Sequence, residues 1–174
     1  MPDLISIGLA WFLAWLFAAA ALHKFRAPDD YRELLGAYLP GLPSSRVFVW
    51  LPASLELGLA LLLLLPQLRS VGLAGGALLL LAYAGLMGLQ LARGNTDLKC
   101  GCAGAASSTT VSPVLVVRNL VCALLALAAL APSVLVSAGL AGMVLSIFIA
   151  VFSVVIYLST EQIISNAQQI AGER

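Results

Sequence analysis

Two cysteines separated by one glycine, Cys100-Gly101-Cys102, are the residues whose types and spacing most directly suggest chemistry. Glycine between them permits backbone angles that other residues resist, and residues two apart can approach to the Cα separation of about 4.4–6.8 Å that a disulfide requires. So small a ring is expected to be strained, and strained or exposed disulfides are the labile, catalytic ones. Lys99 would favour the thiolate of Cys100, which is the reactive form. The pair predicts thiol–disulfide redox chemistry.

Two other interpretations of this pair stay open. Thiolates select soft metals such as Cu(I), which would make the loop a copper relay. However, two sulfurs make a minimal site, and neither a methionine nor a second histidine lies nearby in the loop, so no metal site is predicted. The cysteines can also be structural parts of a non-enzymatic membrane scaffold or chaperone. Cys122, the third cysteine, is interpreted as a small apolar residue inside a helix.

Four ionisable residues stand at or inside apolar stretches and form a candidate charge or quinone site: His23, Lys24, Glu56 and Arg118. An intramembrane charge is costly, so it usually faces the bundle and has a partner or a function. Glu56 and Arg118 are expected to pair, with Asp97 as a competing partner for Arg118. A structural ion pair or a snorkelling arginine would explain them equally well. His23 can exchange protons near a thiolate or a quinone, or it can be an ordinary interfacial residue.

The composition requires a membrane environment for these groups. Hydrophobic residues make up 61% of the chain and charged residues 10%, whereas soluble domains carry about 25% charged residues. A formal net charge of +1, with no basic run, argues against nucleic-acid binding. The lipid bilayer is therefore the first expected partner.

Five apolar stretches approach or exceed the length of about 20 residues that a helix needs to cross a bilayer. They are Leu4–Leu22, Val47–Leu65, Val71–Ala92, Val114–Ala131 and Val134–Leu158. The predicted fold is an all-α polytopic membrane bundle in one domain, residues 1–174, with a four-helix core at about 4–131, a fifth transmembrane helix at about 134–158 and a polar tail at 160–174. Ala27–Leu39 is predicted to be an amphipathic interfacial helix.

Alternating the crossings places most ionisable groups on one side of the membrane, together with Gly94–Ser112, the segment that contains Cys100 and Cys102 and is called the cysteine loop below. The basic residues on that side give a conflicting signal about which side of the membrane it is. Positive charge normally marks the cytoplasm, but disulfide chemistry belongs in an oxidising compartment such as the bacterial periplasm. We expect an inner-membrane protein with a periplasmic cysteine loop, against the basic-residue count. The basic residues on the cysteine side are Lys24, Arg26, Arg32, Arg46, Arg93 and Lys99, against Arg69 on the other side.

Several short motifs, taken in order, resemble the MauE/DoxX membrane proteins over about residues 5–130, and MauE most nearly. They are His23-Lys24-Phe25-Arg26, Tyr31, Tyr38-Leu39-Pro40, Leu51-Pro52, Glu56-Leu57-Gly58, Tyr83, Arg93-Gly94, Cys100-Gly101-Cys102 with Gly104, and Arg118-Asn119. One departure is Ala103, where the family often has an aromatic residue.

The resemblance implies a four-helix bundle like that of quinone-linked thiol oxidoreductases such as the vitamin K epoxide reductase group, plus one helix. It also implies a role in methylamine utilisation, in which a membrane thiol–disulfide oxidoreductase helps to mature the disulfide-rich small subunit of methylamine dehydrogenase. The implied partner is a thioredoxin-like or cysteine-rich protein. Cys100 and Cys102 would be catalytic. We add the hypothesis that electrons pass to or from a quinone held near His23, Lys24, Glu56 and Arg118, with the direction of flow open.

Overall fold

The computed structural model describes residues 4–38, 45–95, 98, 109–131 and 139–172. Within these ranges the chain forms six helices, which confirms an all-α polytopic bundle. The helices are α1 (Leu4–Arg26), α2 (Pro28–Tyr38), α3 (Val47–Leu64), α4 (Arg69–Ala92), α5 (Pro113–Ala128) and α6 (Leu140–Gly172). All but α2 have a strongly apolar composition.

Local sequence explains where several helices begin and end. Pro28 and Pro113 are the first residues of α2 and α5, where proline's fixed φ suits a helix and its missing N–H is not needed. After α4 the chain reverses at Gly94, whose φ of 78° lies in the left-handed region. Glycine is favoured just beyond a helix end for this reason. The expected amphipathic helix is α2, and Tyr31 is its buried residue.

Among the long helices that the structure describes, α1 is the most buried. It packs between α3 and α6. Helix α4 contacts α3 and packs closely on α5. Leu13, Phe12 and Phe17 of α1 are almost fully buried within the apolar core. Large apolar side chains cover the outside, as lipid contact requires.

Four of the described helices, α1, α3, α4 and α6, are long and apolar enough to cross a membrane. The expected crossing at Val114–Ala131 is helical over Pro113–Ala128, a shorter apolar helix of 16 residues. Contacts confirm the alternating directions: the start of α1 meets the end of α5, because Ser6 Oγ donates to the carbonyl of Ala129 at 2.8 Å. The side where α1, α4 and α6 end and α3 and α5 begin is called the loop side below.

One helix covers most of the predicted fifth crossing and of the predicted polar tail. Residues 132–138, where that crossing was expected to begin, lie outside the described residues. Helix α6 begins at Leu140 and continues without a break to Gly172, a length of 33 residues. At about 1.5 Å per residue this greatly exceeds the bilayer core of about 30 Å. The polar segment from residue 160 to residue 172 is therefore the loop-side end of this long helix.

Close contact between α1 and α6 depends on small residues. A Cβ at Gly8 would lie 2.7 Å from the Cβ of Ile149 and 2.8 Å from the carbonyl oxygen of Ser146. Ser146 is itself buried, and its Oγ donates to the carbonyl of Leu4 at 3.0 Å. Helix α6 is thus packed into the bundle and is not an appendage.

We expect Gly8→Ala to destabilise the protein by about 1–3 kcal/mol, because the added methyl group would press on backbone that cannot move without separating α1 from α6. Thermal unfolding in detergent micelles measures the effect. Gly85→Ala is the matched control, since a Cβ at Gly85 meets nothing within 4 Å. Equal melting temperatures for the two variants would contradict the close contact of α1 with α6.

Candidate functional site

A buried ion pair joins α1 to α3 on the loop side of the bundle. Lys24 Nζ donates to both carboxylate oxygens of Glu56, at 2.7 Å to Oε1 and 2.8 Å to Oε2. Tyr83 of α4 donates its hydroxyl to the same Oε1 at 2.6 Å. Glu56 has no exposed surface and Lys24 is 7% exposed. Three helices therefore meet at one carboxylate.

Two aromatic rings complete the surroundings of the ammonium group. Lys24 Nζ lies 5.3 Å from the ring centroid of Tyr31 and 5.8 Å from that of Tyr83. A cation within about 6 Å of an aromatic face is attracted by the ring quadrupole, more strongly when it is desolvated. We call Lys24, Glu56, Tyr31 and Tyr83 the Lys–Glu–Tyr cluster.

The helices place these four groups by simple geometry. Glu56 lies nine residues after Val47, which at about 1.5 Å per residue puts it roughly 14 Å along α3 from the loop side. Lys24 stands near the end of α1, so its long side chain can reach inward to the carboxylate. The cluster thus spans from the membrane interface to the middle of the bundle.

Helix α2 carries Tyr31 and is held in place by an exposed ion pair. Arg46, just before α3, donates to both carboxylate oxygens of Asp29, at 3.0 and 2.7 Å. The hydrogen bond from the Arg46 guanidinium holds the pKa of the Asp29 carboxyl below its usual value. A lowered carboxyl pKa means that the pair stabilises at neutral pH and that this contribution is lost as the pH falls through that lowered pKa.

A second intramembrane ion pair joins α5 to α6. Arg118 donates from Nη1 to Glu161 Oε2, and its guanidinium carbon lies 4.9 Å from the ring centroid of Tyr157. The side chains of Arg118 and Glu161 are 6% and 12% exposed. This pair lies about five residues into α5 from the loop side, at a shallower depth than Glu56.

The ends of the cysteine loop are held by polar contacts. Val111 N–H donates to the carbonyl of Leu98 at 2.8 Å, which closes the base of the loop. Gln168 Nε2 donates to the carbonyl of Thr110 at 3.0 Å, and its Oε1 accepts from the N–H of Thr110 at 2.9 Å. Buried Gln90 donates to the carbonyl of Tyr38 at 2.8 Å. The loop thus begins and ends on the same side as both ion pairs.

The structure separates the residues that the sequence had grouped. Lys24 and Glu56 come together, but His23 is exposed. The expected pairing of Glu56 with Arg118 is wrong, because α3 faces α1 and α4 at that level while Arg118 reaches α6. Asp97, the competing partner proposed for Arg118, lies outside the described residues.

The cysteines of the predicted redox pair, Cys100 and Cys102, lie outside the described residues. Cys122 is buried and packs in the apolar core, consistent with its interpretation as a small apolar residue.

Sequence reasoning missed Glu161 and Gln168 as partners of this region because both were assigned to the polar tail. It also missed the roles of Tyr31 and Tyr83, although both belong to the motifs quoted above. A tyrosine deep in an apolar helix such as α4 was the available signal, because a buried hydroxyl normally has a hydrogen-bond partner.

The residues expected to hold a quinone do not form one open polar site. Lys24 and Glu56 satisfy each other, Arg118 pairs with Glu161, and His23 is exposed. A quinone head group needs polar groups that converge on a shared cavity. The described side chains do not fit this group in the expected arrangement.

Comparison with known proteins decides the family. The family model described as "Methylamine utilisation protein MauE" matches residues 2–132. The chain belongs to the MauE family. This confirms the resemblance drawn from the short motifs.

The curated relatives are MauE proteins. The methylamine utilization protein MauE of Paracoccus denitrificans is 35% identical over 130 residues, which cover 74% of this chain and 69% of that protein. Its counterpart in Paracoccus versutus is 34% identical with the same coverage. The counterpart in Methylophilus methylotrophus is 32% identical over 103 residues, 56% of this chain and 52% of that protein. No solved structure gives a significant match.

We expect Lys24→Met to destabilise the protein by about 3–5 kcal/mol, because it leaves the buried carboxylate of Glu56 uncompensated. The double variant Lys24→Met/Glu56→Gln should recover most of this loss, since neither charge remains and the amide oxygen can still accept from Tyr83. Chemical unfolding in mixed micelles measures both variants.

The control for this test is His23→Ala, one residue away and exposed, which should change the free energy of unfolding by about 0.5 kcal/mol or less. If the double variant is as unstable as Lys24→Met alone, the lost stability does not come from the uncompensated charge of Glu56.

Proposed function

We propose that this chain is a membrane thiol–disulfide redox protein that serves methylamine utilisation and acts through Cys100 and Cys102. The partner we propose is a thioredoxin-like or cysteine-rich protein. The observation that carries the proposal is the MauE match over residues 2–132, which includes the Cys-Gly-Cys motif. The curated relatives in two genera of bacteria carry the name methylamine utilization protein.

The proposed chemistry is a two-electron exchange between protein sulfurs. The thiolate of one cysteine attacks a disulfide of the partner, forming a mixed disulfide and releasing one partner thiolate. The second cysteine then attacks its neighbour's sulfur, which forms the Cys100–Cys102 disulfide and releases the second partner thiolate. The two thiols of the pair lose two protons and two electrons, and the partner's two sulfurs take up both electrons. Run in reverse, the same steps oxidise a dithiol partner.

The polar contacts on the loop side of the bundle support this proposal. One buried and one partly buried ion pair are expensive in a membrane, and intramembrane charges mark functional regions by default. Both pairs lie toward the side where the cysteine loop begins and ends. A quinone acceptor stays a prediction, and the exchange written above needs only thiols and disulfides.

The proposed location is the bacterial inner membrane, with the cysteine loop in the periplasm. Labelling of intact cells with a bulky, membrane-impermeant maleimide tests it. We expect labelling of the cysteine pair only after external reduction, because a periplasmic pair is held oxidised. Labelling only in opened membranes would place the loop in the cytoplasm, as the basic-residue count indicates.

The function is tested by trapping. Cys100→Ser and Cys102→Ser are each expressed in a host that grows on methylamine, and the membranes are separated on non-reducing gels after acid quenching. We expect one of the two variants to accumulate a mixed disulfide with a cysteine-containing partner, because the resolving thiol is missing. Both variants should lose most of their ability to support growth on methylamine.

Cys122→Ser is the matched control, since this cysteine packs in the apolar core. It should trap nothing and support growth. If both Cys100→Ser and Cys102→Ser support growth and neither traps a partner, the result would favour a non-enzymatic membrane scaffold or chaperone. Loss of growth without trapping but with release of bound copper would favour a metal relay.

A further inference from the structure

Arg69 is a buried basic residue on the side of the bundle opposite the loop side, where α1, α4 and α6 begin. Its side chain is part of a residue only 8% exposed, and its Nε and Nη1 atoms are buried with no hydrogen-bond partner among the described residues. A guanidinium stays charged in proteins, and a buried charge without a partner is costly. Arg69 therefore needs an anion that the described residues do not supply.

The carboxylates that the structure describes lie elsewhere. Those of α2 and of Glu161 are on the loop side, and Glu56, in the middle of α3, is paired with Lys24. Asp3 precedes α1, which begins on the same side as α4, but it lies outside the described residues. The first turn of α4 carries no acidic residue. The counter-ion of Arg69 is therefore either Asp3 or a group from outside the chain.

The place of Arg69 in its helix adds to the excess of positive charge. Arg69 is the first residue of α4, and the N-terminal end of a helix carries a partial positive charge that favours an anion. The backbone N–H groups of residues 69–71 precede the first hydrogen bond of this helix, which runs from Gly72 to the carbonyl of Leu68 at 2.9 Å. No side chain caps these groups at the N-cap residue, Leu68. Unused backbone donors and an unpaired guanidinium thus meet at one end of α4.

Both kinds of donor are directed to the same region. The first N–H groups of a helix point out of its N-terminal end. The Cα–Cβ bonds of a helix tilt toward that end as well, so the side chain of the first residue is inclined past it. Gln67, Leu68 and Ser70 are exposed, which leaves this end of α4 open to its surroundings. Helix N-termini of this kind bind phosphate, and a guanidinium can bond two phosphate oxygens at once.

The depth of this end of α4 matches the phosphate of a phospholipid. Helix α4 has 24 residues, which at about 1.5 Å per residue make it about 36 Å long. The hydrocarbon core of a bilayer is about 30 Å thick, so the ends of α4 reach the headgroups. Leu64 and Val71, near the same end, are 52% and 57% exposed. One lipid can therefore place its phosphate at the end of α4 and its acyl chains against these apolar side chains.

We propose that the N-terminal end of α4, with Arg69 as its principal residue, binds the phosphate of an anionic phospholipid. An anionic headgroup is preferred to a zwitterionic one, because the ammonium group of a zwitterion already neutralises its own phosphate. The lipid supplies the counter-ion of Arg69, so its binding stabilises the folded bundle. This site lies opposite the cysteine loop and is independent of the function proposed above.

The test uses the full-length protein in a non-ionic detergent. Dioleoylphosphatidylglycerol is the anionic probe, dioleoylphosphatidylcholine is the zwitterionic control, and inorganic phosphate represents a free anion. Native mass spectrometry gives the dissociation constant of each lipid, and thermal unfolding gives the change in melting temperature. Arg69→Gln is compared with Arg93→Gln, which removes an exposed arginine just beyond the other end of the same helix.

We expect phosphatidylglycerol to raise the melting temperature of the wild type by about 3–6 °C when the lipid is at about ten times its dissociation constant. Arg69→Gln should bind this lipid roughly tenfold more weakly, because a hydrogen bond between charged groups is lost. Arg93→Gln should match the wild type. Phosphatidylcholine and inorganic phosphate should change the melting temperature little. Without lipid, Arg69→Gln should be at least as stable as the wild type, because it contains no uncompensated charge at this end of α4.

Three results would overturn this site. The first is an equal dissociation constant of phosphatidylglycerol for Arg69→Gln and Arg93→Gln. The second is an equal rise in melting temperature with phosphatidylcholine or with inorganic phosphate, which would indicate an unselective lipid contact or a site for free phosphate. The third is a wild type that does not respond to phosphatidylglycerol while Asp3→Asn and Arg69→Gln are equally destabilised, which would assign Asp3 as the counter-ion.

If Arg69→Gln does not fold, amide hydrogen exchange of the wild type decides. Phosphatidylglycerol, but not phosphatidylcholine, should slow the exchange of the N–H groups of Ser70 and Val71, because these groups gain a phosphate acceptor. Unchanged exchange at both residues with saturating phosphatidylglycerol would overturn the proposal.

Discussion

Burying charge in an apolar bundle is the constraint on which the rest of this structure depends. A lysine and a glutamate inside a membrane are tolerated only if each neutralises the other and their remaining hydrogen-bonding capacity is satisfied. The bidentate contact between Lys24 and Glu56, with the Tyr83 hydroxyl on the same carboxylate, meets that requirement. It ties α1, α3 and α4 together at one level, so the relative rotation of these helices is fixed by one group of atoms.

The need to neutralise a buried charge also ties α6 to the bundle. Arg118 is buried in α5, and its carboxylate partner, Glu161, comes from α6. Small residues then let α6 approach α1. The two helices are so close at Gly8 that a larger side chain there would collide with Ile149. Helix packing in lipid relies on such close contacts because there is little hydrophobic drive between apolar helices. One ion pair and one tight crossing thus hold a helix whose far end reaches the loop base.

Different side chains hold different parts of the loop side in place. The Lys–Glu–Tyr cluster joins three helices inside the bundle. Gln168, near the end of α6, bonds both backbone groups of Thr110, which follows the cysteine pair in the chain. Gln90 of α4 donates to the carbonyl of Tyr38 and so holds the end of α2 on the same side of the bundle.

The sequence by itself determined the membrane environment, the helical class, most helix boundaries and the family. These follow from local properties: about 20 apolar residues make a span, proline and glycine mark helix ends, and the short motifs lie within residues 2–132, which the family model matches. The sequence also indicated that the charged residues share one side of the membrane, since alternating crossings require it.

Only the tertiary structure decided which charges meet. Glu56 and Arg118 looked like partners because both were buried and opposite in sign, yet α3 faces α1, and Lys24 at the end of α1 reaches the carboxylate first. The polar residues after Leu158 were assigned to a polar tail, because polarity indicates contact with water and does not show which neighbouring helices a segment contacts. Helix α6 instead carries Glu161 and Gln168 to α5 and to the loop. Depth along a helix can be counted from the sequence, but rotation about its axis and choice of neighbour depend on the packing of all the helices at once.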